Sequence, residues 1–128
     1  MENRIPRDPG RKNRMQREFE PQPWAAAEVR RFVAASLPDA HNLDDLELAA
    51  SELASNVIRH AQTPFTVAVR RAADRIRLEV SDGNSIIPAV EDLAEDNRGL
   101  RLLQAITIRW GIDPHGDGKT IWAEFPAD

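Results

Sequence analysis

The stretch Ser51-Glu52-Leu53-Ala54-Ser55-Asn56-Val57-Ile58-Arg59-His60-Ala61 decides the fold. At roughly 100° per residue, Leu46, Ala50, Leu53, Val57 and Ala61 fall on one arc, which Ala54 and Ile58 widen. That arc is the apolar stripe of a helix packed on a core. Glu52, Asn56 and His60 recur every four residues and line one edge of the stripe. Ser51, Ser55 and Gln62 fall on the far side and are expected to be solvated. A carboxylate, an amide and an imidazole in a row beside a buried seam suit the floor of a cleft. Glu52 could orient or deprotonate a nucleophile. Asn56 offers a neutral oxygen to a hard cation such as Mg²⁺. A plainer reading stays open at this point, in which Glu52 pairs with Arg59 or another neighbour and Asn56 is a satisfied polar group.

The flanks extend this helix into a domain. Asp44-Asp45-Leu46-Glu47 has the Asp-x-x-Glu pattern of a helix cap, and the helix is expected to end near Gln62, before Pro64. Upstream, Pro21-Gln22-Pro23 breaks the chain before a helix from about Trp24 to Leu37, with Val29, Phe32, Val33 and Leu37 inward. Met15 to Glu20 alternates like a short edge strand, and its mixed charges suit an edge. Downstream, Phe65, Val67 and Val69 alternate with Thr66, Ala68 and Arg70, and Ile76, Leu78 and Val80 alternate with Arg77, Glu79 and Ser81. This period of two predicts paired strands. By parity Asp82 continues the Ile76/Leu78/Val80 face, so a carboxylate ends the strand on its core side. Unpaired burial there would be costly. Either a local backbone donor satisfies it, as in an Asx-turn into Gly83-Asn84, or a ligand does.

Residues 85–97 read as a long acidic loop, expected to act as a mobile lid. Arg98 to Ile106 reads as a helix whose Gly99 lets backbone N–H groups approach an anion. Two last strands are expected, Ile106 to Ile112 and Thr120 to Phe125, joined by a hairpin loop over Asp113 to Gly118. Trp110 and Trp122 are expected to be core or edge cover.

The 128 residues suffice for one domain with a single core. Residues 1–14, with Pro6, Pro9, Gly10 and the basic Arg4, Arg7, Arg11, Lys12 and Arg14, are expected to form a flexible N-terminal arm, and residues 15–128 the domain. With no cysteine, disulfides and thiolate metal sites are excluded. The net charge of −4 gives no support to direct nucleic-acid binding. No apolar run reaches membrane-spanning length, so the expectation is a cytoplasmic protein without a membrane partner. Gly118-Lys119-Thr120 is not a P-loop, because Asp113 stands where the first glycine belongs and the following residues alternate like a strand. His41, His60 and His115 lack metal-ligand spacing.

Four pieces remain in order: Glu-x-x-x-Asn on a helix, Asp-Gly at a strand end, Arg-Gly-Leu opening a helix, and Gly-Lys-Thr opening a last strand. Together they resemble the GHKL, or Bergerat-fold, ATP-binding domains. Within that superfamily, Glu52 to Ala61 is similar to the N-box of the stand-alone anti-sigma-factor serine/threonine kinases. Arg98-Gly99-Leu100 and the Trp110-Gly111 to Trp122 phrasing resemble their actinobacterial branch. The resemblance spans about Met15 to Pro126. It implies a two-layer α/β sandwich, a mostly antiparallel mixed sheet covered on one face by helices. It also implies ATP and Mg²⁺, with Asn56 holding the metal and Glu52 activating the attacking hydroxyl. Asp82 would accept from the adenine amino group, with Gly83 beside it. Arg98, Gly99 and Leu100 would lie along the phosphates, and Thr120 near the base. The implied partners are a sigma factor and a STAS-domain anti-anti-sigma protein; a homodimer is compatible with the pattern. The chain departs from the family at Asn84, Ile86 and Asn97, where glycines are usual. Lys119 coincides with the usual threonine of the last box. These departures carry the alternative, a catalytically weak or inactive ATP-binding and sigma-binding module.

Overall fold

Alternation writes the sheet. A computed structural model describes residues 14–85 and 98–127. It has five strands: β1 (Arg14–Phe19), β2 (Phe65–Arg71), β3 (Arg75–Asp82), β4 (Arg109–His115) and β5 (Gly118–Pro126). They lie in the order β1-β2-β3-β5-β4. Every neighbouring pair is antiparallel, so the described sheet is antiparallel throughout rather than mixed. In β3, Ile76, Leu78, Val80 and Asp82 are buried, while Arg75, Arg77, Glu79 and Ser81 are half-buried. That is the signature of a sheet packed on one face only.

Among the described residues, three helices cover that face: α1 (Ala25–Ser36), α2 (Leu43–Asn56) and α3 (Arg98–Ile106). Leu46, Leu53, Val57, Phe65, Leu78 and Phe125 lie in one core with Val29, Val33 and Leu103. α2 is the central helix and contacts α1, α3 and β3. Flanked on both sides, it buries a wider arc than a single stripe. Ser51 is therefore buried rather than solvated, its hydroxyl donating to Leu48 O at 3.1 Å. Ser55 is half-buried and Gln62 exposed.

Local boundaries differ from expectation in four places. The cap of α2 is Asn42, without a side-chain cap bond, and Asp44 and Asp45 fall inside the first turn. There they complement the positive end of the helix. After Asn56 the helix widens into a π turn, Val57–Ala61, closed by Gln62 N–H donating to Val57 O at 2.8 Å. The extra residue takes the exposed His60 out of line with Glu52 and Asn56. Most of the expected Asp113–Gly118 loop is strand, and only Gly116-Asp117 turns the hairpin. Gly116 takes a positive φ of 53°, a left-handed geometry that favours glycine. Ile106 ends α3, and β4 starts at Arg109. The arm and most of the expected lid fall in residues 1–13 and 86–97, outside the described residues.

The helix-free face carries charge. The buried Glu124 accepts from Arg109 Nε at 2.7 Å, Arg77 Nη1 at 3.1 Å and Arg75 Nη1 at 3.2 Å. Trp122 lies under the Arg77 guanidinium, 4.3 Å from ring centroid to Cζ. It also lies against Gly111, where a Cβ would come within 2.6 Å of the indole. Trp122 is thus edge cover on the open face. The Arg109 hydrogen bond, above all, holds the Glu124 carboxyl below the usual carboxylate range; burial opposes this, and Arg77 supports it. A lowered folded-state value stabilises the fold above the usual carboxylate range, and that contribution is lost as pH falls through the lowered value. Urea denaturation should find Glu124→Gln less stable than the parent at pH 7, with the gap closing in acid. A gap independent of pH would refute the assignment.

Candidate functional site

The orientation of α2 assembles the site. Near its start, Asn42 Nδ2 donates to Pro126 O at 2.9 Å, and Pro126 pairs with Arg75 at the beginning of β3. Past its end, Thr63 Oγ1 accepts from Gly83 N–H at 2.9 Å, just beyond the end of β3. The fourteen residues of α2 span about 21 Å at about 1.5 Å each. The eight residues of β3 span about 26 Å. The helix therefore runs the length of the strand, and Asn56 is delivered to the end where Asp82 stands. Glu52 lies one turn back, about 5.4 Å along the axis. A recess lined by His41, Asn42, Asp44, Asp45, Ile106 and Pro126 lies at the opposite end of the sheet.

Glu52 and Asn56 are both half-buried, on the margin of the buried arc. Asn56 Oδ1 accepts from Arg59 Nη2 at 3.1 Å. Arg59 is thus engaged by Asn56. An amide oxygen has two acceptor positions, so Asn56 can still present one to a cation. Mg²⁺ takes one or two protein oxygens and fills its shell with phosphates and water, so a single amide oxygen fits it. Among the described residues no cluster of three His, Cys, Asp or Glu could hold a metal on its own.

Asp82 is buried on the core face, as its parity requires. Its Oδ1 accepts from Asn84 N–H at 2.8 Å, the expected Asx-turn. The sequence reading missed its second partner. Lys119 Nζ lies 3.1 Å from Oδ2 and 3.2 Å from Oδ1, and also donates to Asn84 O at 2.7 Å. Asp82 and Lys119 are register partners across β3 and β5, so both side chains project to the same face. Counting back from Phe125-Pro126 put Lys119 at the usual threonine of the last box, but only the strand register shows that it meets Asp82.

Thr120 goes elsewhere. It pairs with Ser81 across the sheet, and their hydroxyls lie 2.7 Å apart. His115 Nε2 is 2.7 Å from the same Thr120 hydroxyl. Ser81 belongs to the helix-free face of β3, so Thr120 is not brought to Asp82. Gly83 is exposed, and a Cβ there would meet Thr63 at an ordinary 3.6 Å, so close packing does not demand glycine. Arg98, Gly99 and Leu100 form the first turn of α3, next to α2 in the helical layer. Thr63, which ties the α2 exit to Gly83, gave no signal in the sequence.

The antiparallel sheet with helices on one face is the architecture of a known domain family. The family model for the histidine kinase-like ATPase domain matches residues 19–125. The chain belongs to that family, within the GHKL superfamily. Among solved structures, it is similar to the RsbU and RsbW domains of Rv1364c from Mycobacterium tuberculosis. The TM-score is 0.69 at 20% identity, over 88% of this chain and 32% of that one. It is also similar to the Acinetobacter baumannii histidine kinase AdeS, with a TM-score of 0.56 at 14% identity over 89% of this chain and 68% of that one. The chain thus spans about a third of the length of the Rv1364c structure. These likenesses show the fold. A comparison with curated proteins found no match. Among the described residues, no helix is long and apolar enough to cross a membrane.

Proposed function

We propose that the chain is an anti-sigma regulator that binds ATP with Mg²⁺ and phosphorylates a serine or threonine of a STAS-domain anti-anti-sigma protein. The observation that carries this reading is the delivery of Glu52 and Asn56, on one helix edge, to the sheet end closed by Asp82. The RsbW domain within the Mycobacterium tuberculosis neighbour supports the anti-sigma assignment, and the family supports ATP.

In this reading Mg²⁺, when bound, neutralises charge on the phosphates, and Asn56 Oδ1 is its protein ligand. Glu52 positions the acceptor hydroxyl and takes its proton. The hydroxyl oxygen forms a bond to the γ-phosphorus, the bond to the β–γ bridging oxygen breaks, and ADP leaves. Such transfer depends mainly on positioning and charge neutralisation. Asp82 recognises the base, and the backbone at Arg98, Gly99 and Leu100 faces the phosphates. The protein partners are the sigma factor and the STAS protein, and the setting is the cytoplasm.

One observation favours a second reading, a binding module that retains the sigma partner without catalysis. The Asp82 carboxylate is already engaged by Lys119. Calorimetric titration of ATP with and without Mg²⁺ tests the nucleotide half of the proposal. Mg²⁺-dependent binding is expected. No heat at millimolar ATP, with the protein folded by circular dichroism, would leave only the binding module.

A further inference from the structure

We propose that Lys119 is an internal occupant of the Asp82 carboxylate and sets the nucleotide affinity, because its ammonium must leave before a base can be bound. The inference rests on the reading of Asp82 as the base-recognition group and deepens it.

The carboxylate has about four acceptor positions. Lys119 reaches both oxygens, and Asn84 N–H takes a further position on Oδ1. The Asp82 side chain is only 1% exposed and that of Lys119 only 6%. Three of the four positions are thus taken, and the last, on Oδ2, is buried with the side chain. The ammonium is also anchored at Asn84 O, 2.7 Å away. One cation thus holds the strand-end carboxylate and the turn that follows it. An incoming base offers Asp82 a neutral N–H in place of a charged one. Both bonds are charge-assisted through the carboxylate, but only the ammonium adds the Coulomb attraction of an opposite charge, so the exchange opposes binding. The register enforces the arrangement, since residue 119 directly faces residue 82 in the β3–β5 ladder.

The size of the effect follows from populations. A ligand that binds only the open form sees its affinity reduced by the open fraction. With the pair open in about 1–10% of molecules, a usual minor-state population, apparent affinity falls about 10- to 100-fold. Lys119→Thr removes the competitor, leaves a small hydroxyl, and should bind Mg²⁺-ATP at least about tenfold tighter, or about 1.4 kcal/mol. A merely structural lysine would not produce a gain. Asp82→Asn alone strands a buried ammonium, so the carboxylate is removed only in the double variant.

Three proteins are titrated with Mg²⁺-ATP: the parent, Lys119→Thr, and Asp82→Asn/Lys119→Thr. The expected result is tighter binding in Lys119→Thr, lost again in the double variant. Equal or weaker binding by Lys119→Thr, with the parent binding, overturns the inference and leaves the nucleotide site standing. No binding by any of the three overturns both. A second measurement needs no variant, in case Lys119→Thr does not fold. The chain has two lysines, Lys12 and Lys119, so amine acylation resolved by mass spectrometry reports on Lys119 directly. Saturating adenosine, which has no phosphates to mask the amine, should accelerate its modification. An unchanged rate, at an adenosine concentration that calorimetry shows to be saturating, overturns the inference.

Discussion

Glu52→Ala is expected to keep ATP binding and to lose phosphoryl transfer by about 10²-fold or more, the usual contribution of a positioned general base. Glu52 is half-buried on the edge of α2, outside the group of fully buried residues formed by Leu46, Ala50 and Leu53. Its removal opens no core cavity. Asn56→Ala should behave differently, losing Mg²⁺-dependent ATP binding together with transfer. The folded state loses one exposed hydrogen bond from Arg59, which contributes about 0.5–1.5 kcal/mol. Neither change should unfold the domain, so the contrast separates the proposed metal ligand from the group proposed to align the nucleophile. The measurement is radiolabelled transfer from ATP to a panel of STAS-domain proteins of the same organism, with the parent and both variants. A Glu52→Ala protein as active as the parent would sink the role given to Glu52. A parent that labels no STAS protein yet binds a sigma factor would establish the binding module.

The strands and the burial of Asp82 were legible because both follow from a period of two, which needs no knowledge of neighbours. Asp82 is buried for the reason its parity gives, and its Asx-turn to Asn84 was one of two stated alternatives. Lys119 was not legible as its partner. That pairing joins residues far apart in the chain, and only the β3–β5 register brings them together. The same register, with the side-chain alternation, sends Thr120 to the opposite face. Ser51 was misread because a helical wheel assumes one covered face, whereas α2 has neighbours on both sides. The residues from Asp113 to Gly118 looked like a loop because their composition is rich in turn formers. The hairpin uses two of them, and Pro114 is tolerated because β4 is an edge strand. The π turn after Asn56 left no compositional mark. Turns of this kind recur at functional sites, and here it follows the residue proposed to hold Mg²⁺.

Gly118→Ala is expected to destabilise the domain by about 3 kcal/mol or more, at the upper end of overpacking effects. The reason is steric rather than conformational, since the left-handed glycine of the hairpin is Gly116. A Cβ at Gly118 would lie 2.0 Å from Asp82 O, 3.1 Å from Asp82 C and 3.3 Å from Gly83 Cα. All three are backbone atoms, so no side chain can swing away. Relief requires parting β3 from β5 at the position where Lys119 meets Asp82. Two other glycines supply the controls. Gly116→Ala finds no atom within 4 Å but must hold a φ of 53°, at a cost of about 1–2 kcal/mol. Gly83→Ala meets Thr63 first, at an ordinary 3.6 Å, and should stay within about 0.5 kcal/mol of the parent. Urea denaturation should therefore rank the losses as Gly118→Ala, then Gly116→Ala, then Gly83→Ala. A Gly118→Ala protein as stable as the parent would mean that β3 and β5 do not approach this closely, and the Lys119–Asp82 contact would lose its geometric basis with them.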